Sequence, residues 1–253
     1  MHGFLSLDLL ILAACAWLVT GLCGVFAGRY AGFIAGILFP LGALIGIGVG
    51  VTGIAALGTP VETAVLAIGL PDLPFHLRLD NLSAVFAALL GFAGAGISIY
   101  SAGYFGKSEL VSPGTLCLEY HVFLASMLMI LLADDAYAFM VAWECMALSS
   151  FFLVTTDHKH EEIRRAGFLY LLIAHIGAIG ILLGFGVMTG GAGDYCFSAM
   201  RAMELTPVWS SAAFLLALAG FGAKAGLVPL HVWLPEAHPA APSPLSAMMS
   251  GVM

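Results

Sequence analysis

The chain has 253 residues, of which 61% are hydrophobic and only 9% are charged, and its formal net charge at neutral pH is −7. Together with a mean hydropathy of +1.05, this composition excludes an ordinary soluble domain and indicates a polytopic membrane protein. The charges form no basic face, which argues against a nucleic-acid partner.

Several apolar segments are each long enough to cross about 30 Å of hydrocarbon. We predict seven spans, at 7–27, 32–57, 81–104, 116–133, 136–156, 167–189 and 209–229, and the start of an eighth near Pro244. The first segment lacks the basic start of a cleavable signal peptide, so it is predicted to remain as a span. The predicted fold class is therefore an all-α membrane protein.

The connections between the spans carry their own signals. Residues 58–80 form the longest early loop, and the alternation from Phe75 to Leu79 predicts an extended strand. Asp134 stands directly before the fifth span and is predicted to be its N-cap. The stretch 157–166 is the most polar in the chain and is predicted to be a surface loop that runs into the sixth helix.

The distribution of basic residues between the spans predicts the orientation of the chain. If the N-terminus lies outside the cell, the cytoplasmic loops hold five basic residues and the opposite side holds two. The five are Arg29, Lys107, Lys159, Arg164 and Arg165, against Arg78 and Arg201. This bias predicts a periplasmic N-terminus.

Glu144 and Lys224 carry opposite charges inside apolar spans. A charge at the bilayer centre costs at least ~2.5–3.5 kcal/mol, so such residues usually have a function. Glu144 follows Asp134 by ten residues, which places it ~15 Å along the fifth helix, near the middle of the bilayer. The pair is predicted to lie along a buried proton or ion path, and a structural hydrogen bond from Glu144 to a neighbouring helix remains the alternative.

Lys224 is predicted to lie beside a helix break. Pro229 lacks an N–H and clashes with the carbonyl of Ala225, and Gly222 and Gly226 flank the lysine. Broken membrane helices expose backbone groups to water or protein and often mark ion pathways. The alternative is that the lysine extends its ammonium group to the membrane interface.

His175 lies within the sixth span and is a candidate proton relay, although a lone histidine in an apolar helix is as often a packed core residue. Four further residues could have either a proton-relay role or a structural role: His231, Glu236, His238 and Asp134. The cysteines form no C-x-x-C, and no nucleotide or flavin motif is present. We therefore predict no cofactor, no metal and no catalytic residue in this chain.

Three segments resemble one known superfamily. ADDAYAFMVAWECMALSSFFLV, from Ala133, resembles the fifth helix of the proton-pumping membrane subunits of respiratory complex I and of their antiporter relatives. GFGAKAGLVPLHVWLPEAHPAAPSPLSAMMSGVM, from Gly220, resembles the broken seventh helix, and LDNLS, from Leu79, is similar to the start of the third. Within this superfamily, AHPAAPS and SGVM look most like the large membrane subunit of group-4 nickel–iron hydrogenases, of the hydrogenase-4 and formate hydrogenlyase type.

The resemblance implies roles for particular residues. Glu144 matches the helix-five glutamate of the family, Lys224 its broken-helix lysine, and His175 a helix-six position that is histidine in the hydrogenase branch. Asp135 stands where asparagine is expected, a departure that we expect to affect capping.

The resemblance also implies a domain organisation. Residues 1–115 would hold the first three helices, and residues 116–253 the first antiporter-like unit. Relatives carry a second, inverted unit, so the chain is expected to be a fragment or a truncated product.

The implied function is proton translocation through a Glu–Lys relay, driven by electron transfer in partner subunits. The implied location is a bacterial or archaeal inner membrane. The implied partners are the lipid bilayer, other membrane subunits and a peripheral hydrogenase or dehydrogenase arm, which would hold the nickel–iron and iron–sulfur centres. Three alternatives remain: a sodium–proton antiporter subunit, a quinone-reducing complex I subunit, and a membrane-anchoring scaffold that does not pump.

Overall fold

The protein is a bundle of membrane-spanning helices, described by a computed structural model over residues 5–28, 30–105, 112–191 and 193–253. Within these ranges seven helices are long and apolar enough to cross a membrane. They are α1 (Ser6–Ala27), α2 (Ala31–Ala56), α3 (Asn81–Phe105), α4 (Pro113–Leu132), α5 (Ala136–Val154), α6 (Glu161–Met188) and α7 (Pro207–Ala225). The predicted all-α architecture of seven spans is confirmed.

Two helix boundaries differ from the predicted ones. Helix α6 begins at Glu161, so most of the polar stretch that was predicted as a loop forms its first turns. Helix α7 ends at Ala225, after which the chain forms a 3₁₀ turn at Leu230–Trp233 and a short helix at Leu234–Ala240. The seventh span is therefore broken, as predicted. A further short helix, Ser243–Gly251, lies where the eighth span was predicted to begin.

Glycines allow the closest helix contacts. An ideal Cβ on Gly53 would lie 2.6 Å from the backbone nitrogen of Ala88, so α2 and α3 can pack this closely only without a side chain there. On α7, a Cβ on Gly220 would lie 2.7 Å from the carbonyl oxygen of Gly177 on α6. This contact lets α7 pack closely against α6 one turn before Lys224.

A β-hairpin connects α2 to α3. Strand β1 (Glu62–Leu70) pairs antiparallel with β2 (Leu73–Leu79), which confirms the predicted extended segment and adds a partner strand that was not predicted. The turn between α4 and α5 joins this hairpin through the backbone, because the N–H of Asp134 donates to the carbonyl of His76 at 2.8 Å. The N–H of Phe197 donates in turn to the carbonyl of Asp134 at 3.0 Å.

Asp80 ends the hairpin and begins α3. Its carboxylate accepts a hydrogen bond from the backbone N–H of Ser83 at 3.0 Å and lies 3.4 Å from Nε of Arg78. The Ser83 bond, with a smaller contribution from Arg78, holds the pKa of Asp80 below its ordinary value. The carboxylate is therefore ionised at neutral pH, where it stabilises the first turn of α3.

The predicted N-cap of α5, Asp134, is wrong by one residue. Asp135 is the N-cap: one of its carboxylate oxygens accepts from the N–H of Ala138 at 2.6 Å, and the other accepts from the N–H of His76 at 2.6 Å. Its side chain is fully buried. Asp134 is held in the backbone pairing with the hairpin, and its carboxylate lies 3.6 Å from Arg201.

Replacing Asp135 by alanine should destabilise the fold by roughly 2–4 kcal/mol, because the substitution removes a helix cap and leaves buried N–H groups of His76 and Ala138 without an acceptor. Asp134→Ala is the matched control and should cost less than about 1 kcal/mol, since it removes only a partly exposed ion pair. Thermal unfolding of the purified protein in detergent measures both. Equal effects of the two substitutions would contradict the assigned cap.

The predicted periplasmic N-terminus remains a prediction. Arg29 and Lys107, two of the five basic residues on which it rests, lie outside the described residues.

Candidate functional site

Lys224 lies in the last turn of α7 and is only 9% exposed. Its Nζ donates a hydrogen bond to the hydroxyl oxygen of Tyr170 on α6 at 2.8 Å. The same nitrogen lies 5.1 Å from the ring centroid of Tyr170 and 5.8 Å from that of Trp143 on α5. An ammonium group placed against two aromatic rings gains cation–π stabilisation away from water. The lysine is thus buried between three helices and does not extend to the membrane interface.

The helix break begins at Gly226, two residues after Lys224. Gly226 has φ +76°, and an added Cβ there would collide with the side chain of Leu234, so this position suits glycine alone. The N–H of Leu227 donates to the carbonyl of Gly222 at 2.8 Å, and the indole N–H of Trp233 donates to the carbonyl of Ala223 at 2.8 Å. Protein donors therefore satisfy carbonyls that the broken helix would leave unpaired.

Glu144 lies midway along α5, and its partner is His175. Its Oε2 is 3.7 Å from Nε2 of His175 on α6. The side chains are 35% and 46% exposed on the surface of this chain, which in a membrane is covered by lipid or by other subunits. The sequence placed both residues on the candidate path, and the structure brings them together.

The structure separates the two predicted partners, Glu144 and Lys224. Within the described parts of the chain, no ion pair joins them. The indole of Trp143, the residue before Glu144, lies beside Lys224 instead. The indole is buried, and its N–H has no hydrogen-bond partner among the described residues. The site therefore consists of two separate polar groups, Lys224–Tyr170 with the indole of Trp143 beside the lysine, and Glu144–His175.

The four residues left open between a relay and a structural role are scattered. His231 has a buried Nδ1 without a partner among the described residues. His238 lies 3.0 Å from the hydroxyl of Ser246 and stacks on the indole of Trp233. Glu236 is exposed, and Asp134 lies at the hairpin end of the bundle with Arg201. Asp134 precedes the first residue of α5, whereas Glu144 lies midway along this helix.

Three polar side chains inside the spans were not singled out from the sequence. Tyr170 accepts the hydrogen bond of Lys224, and Ser150 on α5 lies 2.6 Å from the tyrosine hydroxyl. Glu119, a half-buried carboxylate inside α4, was also overlooked. Tyrosine and serine are common in apolar spans. The sequence therefore contained no signal that would single out Tyr170 or Ser150.

Two open volumes lie beside the site. Lys224, Trp143 and Met146 line a cavity of about 210 Å³ between α3, α4, α5 and α7, and Lys224 is the charged group in its otherwise apolar lining. A wider cleft of about 740 Å³ lies between the start of α6 and the helix after the break. It is lined by His160, Glu161, Glu162, Ile163, Arg165, Ala166, Pro235, Glu236, Pro239 and Ala240.

Comparison with known proteins agrees with this architecture. Residues 133–253 match the family described as the NADH:quinone oxidoreductase/Mrp antiporter membrane region. Hydrogenase-4 component B of Escherichia coli (strain K12) is 39% identical over 258 aligned residues, which cover 98% of this chain and 37% of that protein. The chain therefore spans little more than a third of the length of this relative.

Two solved structures share the fold. The membrane-bound sulfane sulfur reductase, an archaeal respiratory membrane complex, contains a chain that matches with a TM-score of 0.80 and 26% identity, over 98% of this chain and 38% of that one. The Mrp complex from Dietzia sp. DQ12-45-1b matches with a TM-score of 0.78 and 24% identity, over 95% and 26% of the two chains.

The fold and the buried lysine beside a broken helix define a polytopic membrane protein of the antiporter-like class. Residues 133–253 belong to the NADH:quinone oxidoreductase/Mrp antiporter family, and the whole chain has the fold of the related membrane subunits. The family predicted from the helix-five and helix-seven motifs is thereby confirmed.

Proposed function

We propose that this chain moves protons across the membrane as a subunit of a redox-driven complex, and that Lys224 is the residue that takes up and releases the proton. One observation carries the proposal: the lysine is buried beside a helix break and bonds to a neutral hydroxyl, with no carboxylate paired to it in the described residues. A buried lysine without a close counter-charge can lose its proton and leave no isolated anion behind.

Glu144, on the neighbouring helix α5, would control the charge of Lys224. Opposite charges 4 Å apart attract by about 4 kcal/mol at an effective dielectric constant of about 20. An ionised Glu144 that approaches the lysine would therefore stabilise the ammonium form, and its withdrawal or neutralisation would favour proton release. His175 lies 3.7 Å from Glu144, and its imidazole would accept a proton from the glutamate or, when protonated, attract the carboxylate away from Lys224.

Water would reach Lys224 through the wide cleft at the start of α6. Ala166 lines the cleft, and Tyr170 follows it by four residues, which is one helical turn or about 6 Å. Three glutamates, Glu161, Glu162 and Glu236, line the mouth of the cleft. A negatively charged mouth raises the local concentration of protons and other cations.

The energy for translocation would come from electron transfer in partner subunits. In the described residues, no group of three or more His, Cys, Asp or Glu side chains is placed to hold a metal ion. We assign the nickel–iron and iron–sulfur centres to a peripheral hydrogenase arm, in keeping with the similarity to Hydrogenase-4 component B. A sodium–proton antiporter subunit is the second candidate, because the matched family includes Mrp antiporters.

Inverted membrane vesicles that contain the complete complex separate these functions. We expect formate or NADH, as the electron donor, to acidify the vesicle interior at the same rate with and without sodium. A pH gradient that forms from a sodium gradient alone, with no electron donor, would establish the antiporter and contradict the redox-driven pump. Donor oxidation without any acidification in tight vesicles would support the anchoring scaffold.

A further inference from the structure

A hydrogen-bonded chain of three side chains crosses from α7 through α6 to α5. Nζ of Lys224 lies 2.8 Å from the hydroxyl of Tyr170, which lies 2.6 Å from Oγ of Ser150. Oγ of Ser150 is 2.7 Å from the carbonyl oxygen of Met146, one turn earlier on α5. All three side chains are buried. The chain therefore joins the lysine to the backbone of the helix that carries Glu144.

The protonated lysine fixes the direction of the first bond in this chain, and the second follows because the buried O–H of Tyr170 has no acceptor other than Ser150 among the described residues. An ammonium group only donates, so the oxygen of Tyr170 must accept from Lys224. The tyrosine O–H then donates to Ser150, and the serine O–H donates to the carbonyl of Met146. Each hydroxyl accepts one bond and donates one, and hydrogen bonds in such a series strengthen one another.

A neutral lysine allows the opposite direction. Its nitrogen then has a lone pair, so the O–H of Tyr170 can donate to Lys224 and the O–H of Ser150 can donate to Tyr170. The bond from Ser150 to Met146 is lost. The two arrangements differ by the rotation of two hydroxyl hydrogens, and the chain carries no proton away from the lysine. In the proposed function the proton itself leaves when an N–H bond of Lys224 breaks and a water molecule that reaches the lysine takes the proton as a hydronium ion.

We infer that Tyr170 is a positioning residue for proton translocation: its hydroxyl stabilises the charged form of Lys224 and, through Ser150, links the protonation of the lysine to the backbone of α5. Met146 is two residues from Glu144, so the link ends on the helix segment that bears the glutamate. This inference rests on the proposed function of Lys224, and it adds two residues that neither the motifs nor the family match identified.

Tyr170→Phe in the full complex is the direct test, because phenylalanine keeps the ring against Lys224 and removes only the hydroxyl. A hydrogen bond to a charged group is stronger than one to a neutral group, so the substitution should disfavour the ammonium form. We expect the pH midpoint of the donor-driven translocation rate to move to lower pH by about one unit.

The matched control for the tyrosine is Tyr120→Phe. Tyr120 is also buried, on α4, and its hydroxyl also lies close to a serine, 2.9 Å from Oγ of Ser98 on α3. Its bond to a serine does not involve Lys224. The pH midpoint of Tyr120→Phe should equal that of the unaltered protein. The thermal stability of Tyr120→Phe and of Tyr170→Phe should fall by similar amounts.

Two adjacent serines on α5 supply a second pair. Ser150→Ala removes the acceptor for Tyr170 and should move the midpoint to lower pH by about half a unit, since the free tyrosine O–H then favours the neutral lysine. Ser149→Ala removes a serine with the same kind of bond to its own helix, 2.7 Å to the carbonyl of Cys145, and should leave the midpoint unchanged. Adding Ser150→Ala to Tyr170→Phe should have no further effect, because the chain is already broken at the tyrosine.

Other titratable groups lie on the elements that pack against this chain, and all of these variants keep them. They include Cys117, Glu119 and His121 on α4, Tyr137, Glu144 and Cys145 on α5, Glu161, Glu162, Arg164, Arg165 and His175 on α6, and His231, Glu236 and His238 after the break. A shift confined to Tyr170→Phe and Ser150→Ala therefore reports on the chain from Lys224 to Met146.

The inference is overturned if the midpoint of Tyr170→Phe stays at that of the unaltered protein, or if Tyr120→Phe or Ser149→Ala moves it equally. Its failure is distinct from failure of the proposed function. A complex that translocates normally without Lys224 would overturn both, whereas loss of translocation without Lys224 but no shift in Tyr170→Phe would overturn only the hydrogen-bonded chain.

Discussion

Replacing Lys224 by alanine is expected to lower donor-driven proton translocation by about a hundredfold or more, while the complex still assembles. The lysine is the one ammonium group in the described spans, and it lines the cavity between α3, α4, α5 and α7. No other side chain on α7 can take its proton. The initial rate of vesicle acidification, divided by the amount of assembled complex, measures the effect.

Lys224→Arg separates charge from proton exchange. Arginine keeps a positive charge and can donate to Tyr170, but it does not lose its proton under physiological conditions. We therefore expect assembly close to that of the unaltered protein and translocation as low as in the alanine variant. Lys159→Ala, at an exposed lysine between α5 and α6, is the control and should translocate normally. Normal translocation in Lys224→Ala would rule out the lysine as the proton carrier.

Replacing Glu144 by glutamine should lower translocation by about tenfold or more without loss of assembly. Glutamine has nearly the same shape but no charge, so it cannot shift the balance between charged and neutral Lys224. A change of about 1.4 kcal/mol in that balance is enough for a tenfold effect, and a carboxylate at close range supplies more than this. Acidification rates and blue-native electrophoresis of the solubilised complex give the two measurements.

Glu144→Asp is the matched variant, because it keeps the carboxylate and shortens its reach by one methylene. Measurable translocation in the aspartate variant, with little in the glutamine variant, would establish that the charge is required. Normal pumping in Glu144→Gln would reject the relay. Loss of assembly in both variants would instead favour a structural bond between Glu144 and His175, which lie 3.7 Å apart.

The sequence alone determined the membrane architecture and the position of the helix break. Apolar runs of about 20 residues can only be helices in a bilayer, because every backbone polar group must be satisfied within the segment. The break near Lys224 follows from local backbone rules, since Pro229 cannot continue a helix and Gly226 can adopt a left-handed conformation. Motifs of contiguous residues also identified the family.

The boundaries at the hairpin depended on contacts between distant segments. Asp134 and Asp135 are equally good caps by residue type, and the sequence could not choose between them. The hairpin decides, because its backbone pairs with Asp134 and so leaves Asp135 to accept from Ala138 and His76. Strand β1 was missed for a different reason. Exposed side chains such as Val65 and Ile68 are apolar, so the strand shows little alternation between apolar and polar residues.

Only the tertiary structure decided which groups meet inside the bundle. The sequence placed Glu144 and Lys224 at suitable depths and suggested that they pair, yet Lys224 bonds to Tyr170 and Glu144 lies near His175. Which side chains touch across helices depends on the rotation and depth of each helix against its neighbours. Close glycine contacts such as Gly177 with Gly220 set those quantities for α6 and α7. No local pattern encodes them, because each depends on two segments at once.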